Sequence, residues 1–255
     1  MNTPKVSVIT VCFNAADTIE RTIQSVRTQT YGAVEHVVVD GGSTDGTMDV
    51  VRRYADRIAT IVSEKDEGIF DAMNKGIGLS TGQILYFLNA DDTFVDPRVV
   101  EDIVTAFADD PSRMLVYGNV ILEGAAPGVV NYPARPFRAH SISEFLHNSF
   151  CHQAVFVRLE LFAKLGRFQC RYRFSADYEW IIRAFKAEGG RDFHFVERFI
   201  AYYYALGRSQ QHAQVTDREV QDMQRKHFLS FEYAWYVLRY IWIRRLKKRL
   251  LNQTA

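Results

Sequence analysis

Val37-Val-Val-Asp-Gly-Gly-Ser-Thr-Asp-Gly-Thr47 and Ile84-Leu-Tyr-Phe-Leu-Asn-Ala-Asp-Asp-Thr93 each run an apolar segment directly into acids, Asp40 and Asp45 in the first and Asp91 and Asp92 in the second. An apolar run without alternation, such as Val37 to Val39 or Ile84 to Leu88, reads as a strand buried on both faces. The Gly, Ser, Thr and Asn that follow read as loop, so the carboxylates gather at strand ends. In an open α/β sheet the ligand crevice lies outside the carboxyl ends of the strands, and acids there face a ligand rather than the core. Acids facing a bound anion imply a divalent metal between them.

Outward from these segments the same rhythm continues. Lys5 to Phe13 is rich in β-branched residues and reads as a strand, and Ala16 to Thr28 carries Ile19, Ile23 and Val26 at helical spacing. Glu35 to Asp40 and Met48 to Tyr54 repeat the pair, Ile58 to Val62 gives a short third strand, and Phe70 to Leu79 a helix. Gln83 to Leu88 is a further strand, Pro97 opens a helix to about Ala108, and Met114 to Leu122 returns to strand. The alternation predicts an α/β fold with a mostly parallel central sheet flanked by helices. From Glu123 to His140 glycines, prolines and small residues read as a loop into a less regular half. That half offers a short helix near Ser143 to His147, a strand at Ala154 to Arg158, a helix at Ala176 to Ala187 and strands between Phe193 and Ala205. A helical C-terminal tail is expected from about Thr216 to Leu251.

The 255 residues are 47% hydrophobic, enough for a sizeable core in one large domain or one domain with an appendage. A formal net charge of +1 supplies no global attraction to a polyanion, and nucleic acid is not expected as a partner. Cys12, Cys151 and Cys170 show no C-x-x-C spacing or metal cluster, and no signal-peptide pattern precedes Lys5. A reducing, cytoplasmic setting is the expectation. The longest apolar stretches fall short of the roughly 20 residues that span a bilayer, which leaves peripheral attachment to the inner face of the cytoplasmic membrane open.

Three blocks together resemble the family 2 glycosyltransferases, which have the GT-A fold, a Rossmann-like sheet. The first is Val6-Ser-Val-Ile-Thr-Val-Cys-Phe-Asn14, similar to the family's first nucleotide-contacting strand, and the second is Val39-Asp-Gly-Gly-Ser-Thr-Asp-Gly-Thr47. The third is Ser63-Glu-Lys-Asp-Glu-Gly-Ile-Phe-Asp-Ala-Met-Asn-Lys-Gly76 with Asn89-Ala-Asp-Asp92. The resemblance covers roughly Lys5 to Ala205 and implies residues 1–122 as a nucleotide-sugar-binding half and 123–212 as an acceptor-binding, catalytic half of the same domain. Residues 213–255 form a basic, aromatic tail.

On this resemblance Thr10, Cys12 and Asn14 meet the donor, and Asp40 accepts a hydrogen bond from a nucleotide-base N–H; the structural reading of Asp40 is a capped turn. Asp45 suits helix capping equally well. The hard carboxylates of Asp91 and Asp92 suit Mg²⁺ or Mn²⁺ bridging a diphosphate, or else cap the next segment. The family motif commonly reads D-x-D-D, so Asn89 replaces its first acid and Asp91 stands as the direct ligand. Asn89 and Ala90 are grouped with the donor-binding residues. Lys65, Gly68, Asp71, Asn74 and Lys75 recur near one helix face and are expected to line the donor sugar, with Lys75 a surface cation in the alternative reading.

An acceptor hydroxyl needs a base. Asp177 in Phe174-Ser-Ala-Asp-Tyr-Glu-Trp-Ile-Ile-Arg183 resembles the family's acidic segment before an apolar helix, with Ala176 where many members have Glu. Its structural alternative is an N-cap, and Glu179 is a second candidate base. His152 and Gln153 resemble an acceptor-side H-Q pair. Past Glu232 the tail holds no acid and combines Trp235, Tyr236, Tyr240 and Trp242 with six Arg and Lys, so 233–251 could lie on an anionic membrane or pack on the domain. The reaction expected is metal-dependent, inverting transfer of a sugar from a nucleotide-diphospho-sugar to an acceptor hydroxyl, with a saccharide, lipid-linked saccharide or glycolipid as acceptor. A sugar nucleotidyltransferase fits less well, since Val11 to Ala16 lacks the glycine and cation of a phosphate loop. A catalytically silent binding module is the other alternative, suggested by Asn89 and Ala176.

Overall fold

The structure is a computed structural model that describes residues 3–123, 142–146, 151–188, 190, 192–204, 212–228, 234–235 and 238. Strands β1 (Val6–Cys12), β2 (Val34–Asp40), β3 (Thr60–Ser63) and β4 (Ile84–Phe87) alternate with helices α1 (Ile19–Arg27), α2 (Thr47–Arg52) and α3 (Ile69–Leu79). After them come β5 (Thr93–Phe94), α4 (Val99–Asp109), β6 (Leu115–Glu123), β7 (Val155–Arg158), α5 (Leu159–Leu165), α6 (Ala176–Glu188), β8 (Phe193–Tyr204) and α7 (Ala213–His227).

The eight strands form one sheet in the order β3-β2-β1-β4-β7-β6-β8-β5. The first four are parallel, β6 pairs β8 in parallel, and β7 runs antiparallel between β4 and β6. The register sets Cys12 beside Asp40 and Asp40 beside Ser63, so the carboxyl ends of β1, β2 and β3 are level. Strand order reverses between β1 and β4, which opens the crevice at that edge. Because β7 is antiparallel, its amino end lies beside the carboxyl end of β4, with Tyr86 opposite Phe156. The 3-10 turn His152–Ala154 that leads into β7 is thereby delivered to the same crevice.

Side chains alternate across the sheet. Ile9, Val11, Val37 and Val39 pack with α3, α5 and α6 on one face, while Val6, Val8, Ile84 and Tyr86 pack with α4 on the other. Aromatic stacking tightens both layers: Tyr86 lies 4.1 Å from Phe156, and Phe162 lies 4.1 Å from Trp180. Gly76 lets α3 approach β1, since a Cβ there would stand 2.4 Å from Ile9 Cγ2.

The expected alternation and mostly parallel sheet are present, with shifted boundaries. α1 begins at Ile19 rather than Ala16, because Ala16 N donates to Asp45 and Ala15 N to Thr47, holding the chain in a turn. α4 begins at Val99 rather than Pro97, since Asp96 accepts from Arg98 N before the helix starts. The segment from Phe193 is a single strand to Tyr204 rather than several. The two-residue β5 and the seven-residue α5 are too short for a periodic signal. The expected loop from Glu123 to His140 lies outside the described residues apart from Glu123, the end of β6. The short helix is 3-10, at Ile142–Leu146. The tail begins with α7, from Ala213 to His227; past Phe228 only Ala234, Trp235 and Leu238 are described, each helical, and the rest of the expected tail lies outside the described residues.

Candidate active site

One end of the crevice is built from the tips of β1 and β2. Asn14 takes φ +51°, and its Oδ1 accepts from Thr44 N at 2.9 Å while its own N donates to Ser43 Oγ at 2.8 Å, tying the two loops together. Asp40 is fully buried. Its Oδ2 accepts from Gly42 N, Ser43 N and Ser63 Oγ at 3.2, 3.0 and 2.7 Å, and Oδ1 accepts from the Ser43 hydroxyl and the Cys12 thiol. Burial pushes the Asp40 carboxyl up, but these hydrogen bonds outweigh it and hold the group below its usual value. Burial, with Asp40 alongside, pushes the Cys12 thiol far up. Asp45, just ahead of the Gly46 N-cap of α2, accepts from Thr47 N at 3.0 Å and Ala16 N at 3.1 Å, tying the two loops together again.

Two of the residues expected to meet the donor have their side chains turned inward. The Thr10 side chain is fully buried against His36 Nε2 at 3.0 Å, and the buried Cys12 thiol is turned to Val39 O and Asp40. Neither side chain reaches the crevice. Phe13 is 44% exposed between them and Asn14. Half-buried Asp66 lies over Gly41, where a Cβ would stand 2.3 Å from its Oδ2, and its Oδ1 accepts from Gly68 N at 2.9 Å. Asp66 lies inside the Ser63 to Gly76 block that carries the resemblance, but no spacing there singles it out.

The block ahead of and within α3 divides by role. Gly68 at φ +128° turns the chain into α3, and Asp71 Oδ2 accepts from Glu67 N at 3.2 Å. Lys75 Nζ pairs with Glu64 at 2.8 Å and Asp71 at 3.4 Å and donates to the carbonyl of exposed Lys65, and its pKa rises through the Glu64 contact above all. Asn74 is turned to Phe168: its Nδ2 donates to Phe168 O at 2.9 Å and its Oδ1 accepts from Phe168 N at 3.0 Å. Both amide atoms are thus committed to the segment before α6.

After β4 the backbone turns through Asn89, buried Ala90 and Asp91. Asp91 is half-buried, and Arg21 Nη2 donates to its carbonyl at 2.5 Å. Asp92 is 1% exposed; its Oδ2 accepts from Gln153 Nε2 at 3.1 Å and its carbonyl accepts from Thr22 Oγ1 at 2.7 Å. Gln153 is 2% exposed, its Oε1 accepting from the Cys151 thiol and its carbonyl from Tyr86 Oη. The Gln153 amide, expected on the acceptor side, braces Asp92. Of the two acids, Asp91 stands at the crevice and Asp92 beneath it. Among the described residues no three His, Cys, Asp or Glu side chains cluster to hold a metal. A diphosphate-bridging metal takes one or two carboxylates from the protein and the remainder from phosphate and water. Asp91, with the buried, unpartnered Oδ1 of Asn89 two residues before it, fits that sparse set.

Asp177 sits in the first turn of α6, and its Oδ2 lies 2.8 Å from His152 Nδ1. His152 Nε2 in turn lies 3.4 Å from Asn89 Nδ2, so the end of β4, the start of β7 and the start of α6 meet in one chain of side chains. Burial pushes the His152 pKa down, but the Asp177 carboxylate outweighs it and raises the ring above the usual histidine value. The segment ahead of α6 is capped from outside: Glu219 of α7 accepts from Arg173 N, Phe174 N and Ser175 Oγ at 2.6, 3.0 and 2.7 Å. Glu179 is fully buried between Arg183 at 3.1 Å and His227 at 3.2 Å, which removes it from the candidate bases. No sequence signal links Glu219 to Ser175, because the contact spans 44 residues.

The crevice lies at the carboxyl ends of the parallel strands, where open α/β sheets bind their ligands. Residues 7–165 match the sequence profile described as Glycosyl transferase family 2, and the chain belongs to that family. It is 35% identical over 189 residues to the PGL/p-HBAD biosynthesis glycosyltransferase of Mycobacterium bovis, covering 72% of this chain and 71% of that one. It is 37% identical over 186 residues to an uncharacterized glycosyltransferase of Mycobacterium tuberculosis, covering 71% and 69%. Among solved structures, S. aureus TarS superposes with a TM-score of 0.67 at 18% identity, over 93% of this chain and 43% of TarS, so this chain spans under half that protein's length. A mannosyltransferase from Pyrobaculum calidifontis, in complex with GDP-Man and Mn²⁺, gives 0.64 at 22% identity over 89% and 64%.

Proposed function

We propose that this enzyme transfers a sugar from a nucleotide-diphospho-sugar to an acceptor hydroxyl by a single, inverting, metal-dependent displacement. The supporting observation is the convergence, through His152, of Asn89 in the acid motif after β4 and Asp177 on α6. Donor and acceptor machinery thus face one crevice. Asp91 is the residue to hold Mg²⁺ or Mn²⁺, which when bound neutralises charge on the leaving diphosphate.

Asp40, saturated by internal donors, shapes the Gly41 to Ser43 turn, and Asp66 over Gly41 is the carboxylate suited to a base N–H. Exposed Phe13 offers an apolar surface at the same end. Asn14, Lys65, Gly68, Asp71 and Lys75 border the donor, and Asp177 takes the acceptor proton as its oxygen bonds to the anomeric carbon. The relatedness to a PGL/p-HBAD biosynthesis glycosyltransferase supports a glycolipid or lipid-linked saccharide as acceptor. The helical positions Trp235, 70% exposed, and Leu238, 61% exposed, lie one turn apart and support peripheral contact of 233–251 with an anionic membrane. No helix among the described residues is long and apolar enough to cross a membrane.

The test is a thermal-shift panel of UDP, GDP, dTDP and CMP, with and without Mn²⁺, on wild type and Asp91→Ala. A ligand at about 100 times its Kd stabilises the folded state by roughly 2.7 kcal/mol. The expected result is a Mn²⁺-dependent shift with one nucleotide that Asp91→Ala loses; equal shifts in both proteins would remove Asp91 from the metal site.

A further inference from the structure

His152 and Asp177 are 25 residues apart and belong to different elements, yet Nδ1 and Oδ2 lie 2.8 Å apart with side chains 18% and 22% exposed. An ionised carboxylate only accepts, so the ring proton on this side belongs to Nδ1. On the other side Nε2 lies 3.4 Å from the Asn89 side-chain amide. In either protonation state of the ring, the Asp177 carboxylate thus keeps a hydrogen on Nδ1.

We propose that His152 is the positioning residue of Asp177 rather than a contact to acceptor or diphosphate. The inference rests on Asp177 being the base. With Oδ2 tied to the ring, Asp177 is fixed in rotation, and Oδ1 is the oxygen that receives the proton. As the acceptor oxygen bonds to the anomeric carbon, its proton passes to Oδ1, and the electrons of the broken carbon–oxygen bond leave with the nucleoside diphosphate. Misorientation of a catalytic group by about 1 Å costs on the order of 100-fold, and this contact prevents that loss.

Two substitutions separate the ring nitrogens. His152→Asn places an amide N–H where Nδ1 stood, and His152→Gln places one where Nε2 stood. Nucleoside diphosphate release would be measured from UDP-glucose, UDP-GlcNAc and GDP-mannose with Mn²⁺, using water or phenyl glucoside as acceptor. The expected result is that His152→Gln and His152→Ala lose about 10- to 100-fold in kcat at unchanged donor KM, while His152→Asn recovers most of that loss. Recovery by His152→Gln instead, or a rise in KM alone, would overturn the proposal. Nitrogen-15 spectra of the wild-type imidazole give a readout independent of turnover: a protonated Nδ1 that changes in Asp177→Ala is expected, and a ring protonated on Nε2 alone would overturn it. Turnover that survives in Asp177→Asn would sink the base assignment, whatever tautomer His152 shows.

Discussion

Gln153 Nε2 donates to Asp92 Oδ2 across 3.1 Å with both side chains essentially out of water. The two arrive from opposite directions, Asp92 from the loop after β4 and Gln153 from the turn that opens β7. An amide hydrogen bond is thus what keeps a buried carboxylate beneath the crevice, immediately after Asp91.

Removing that donor takes one hydrogen bond from a buried carboxyl group, which costs about 1–3 kcal/mol. Gln153→Ala is expected to lower the urea midpoint by that amount at unchanged slope and to weaken the Mn²⁺-dependent nucleotide shift. Gln153→Glu, which sets two acids face to face, should be least stable at neutral pH and regain stability as the pH falls and one carboxyl takes a proton. A flat stability profile for that variant between pH 7 and 4 would contradict the contact.

Glu219 holds the segment leading into α6 from a helix outside the family match, which ends at residue 165. Glu219→Ala leaves Arg173 N, Phe174 N and Ser175 Oγ without this acceptor, a loss of about 1–2 kcal/mol by analogy with an N-cap. Because Asp177 lies two residues beyond Ser175, kcat is expected to fall with donor KM unmoved. Steady-state kinetics with calorimetric melting check both; a KM effect alone would place the contact on the donor side.

Acid stability should fall in two stages at the amino half of the sheet. Burial lowers the pKa of His36 from 6.5 to about 4, so between those values the unfolded chain binds a proton that the folded chain refuses, and stability drops as pH falls from 6.5 and levels off below about 4. Glu35 is raised by burial but brought down to about 2 overall by hydrogen bonds from Ser7, Thr81 and Lys5; its contribution is full above 4.5 and is lost as pH falls towards 2. Each shift corresponds to about 3 kcal/mol. Denaturant titrations from pH 8 to 2 on wild type, His36→Gln and Glu35→Gln should show the upper stage absent in the first variant and the lower stage absent in the second.

Deleting 233–255 should reduce sedimentation with anionic vesicles while leaving donor hydrolysis intact. Unchanged sedimentation would remove the tail as a membrane contact.

The strands β1, β2 and β4 were legible because unbroken runs of Val, Ile and Leu ending in Asp, Asn and Gly have few other solutions. The same runs place Asp40, Asp91 and Asn14 at the carboxyl edge, since that follows from direction along the chain. Sequence also makes Asp177 an early residue of an apolar helix and gathers basic and aromatic residues in the tail.

Which way each of these side chains faces is a property of distant partners. Thr10 and Cys12 lie on the face turned to His36, Val39 and Asp40, so a strand that reaches the nucleotide edge still sends these two groups into the core. Asn74 is turned to Phe168 across 94 residues, and Asp92 to Gln153 across 61. The antiparallel insertion of β7 decides that His152 meets Asp177, because pairing direction, not local propensity, sets which end of a strand lies at the crevice. Sequence by itself determined the elements and the edge at which the acids collect; tertiary structure decided which acids face the crevice and which are held inside, since hydrogen bonds to buried carboxylates come from whatever segment the packing brings within about 3 Å.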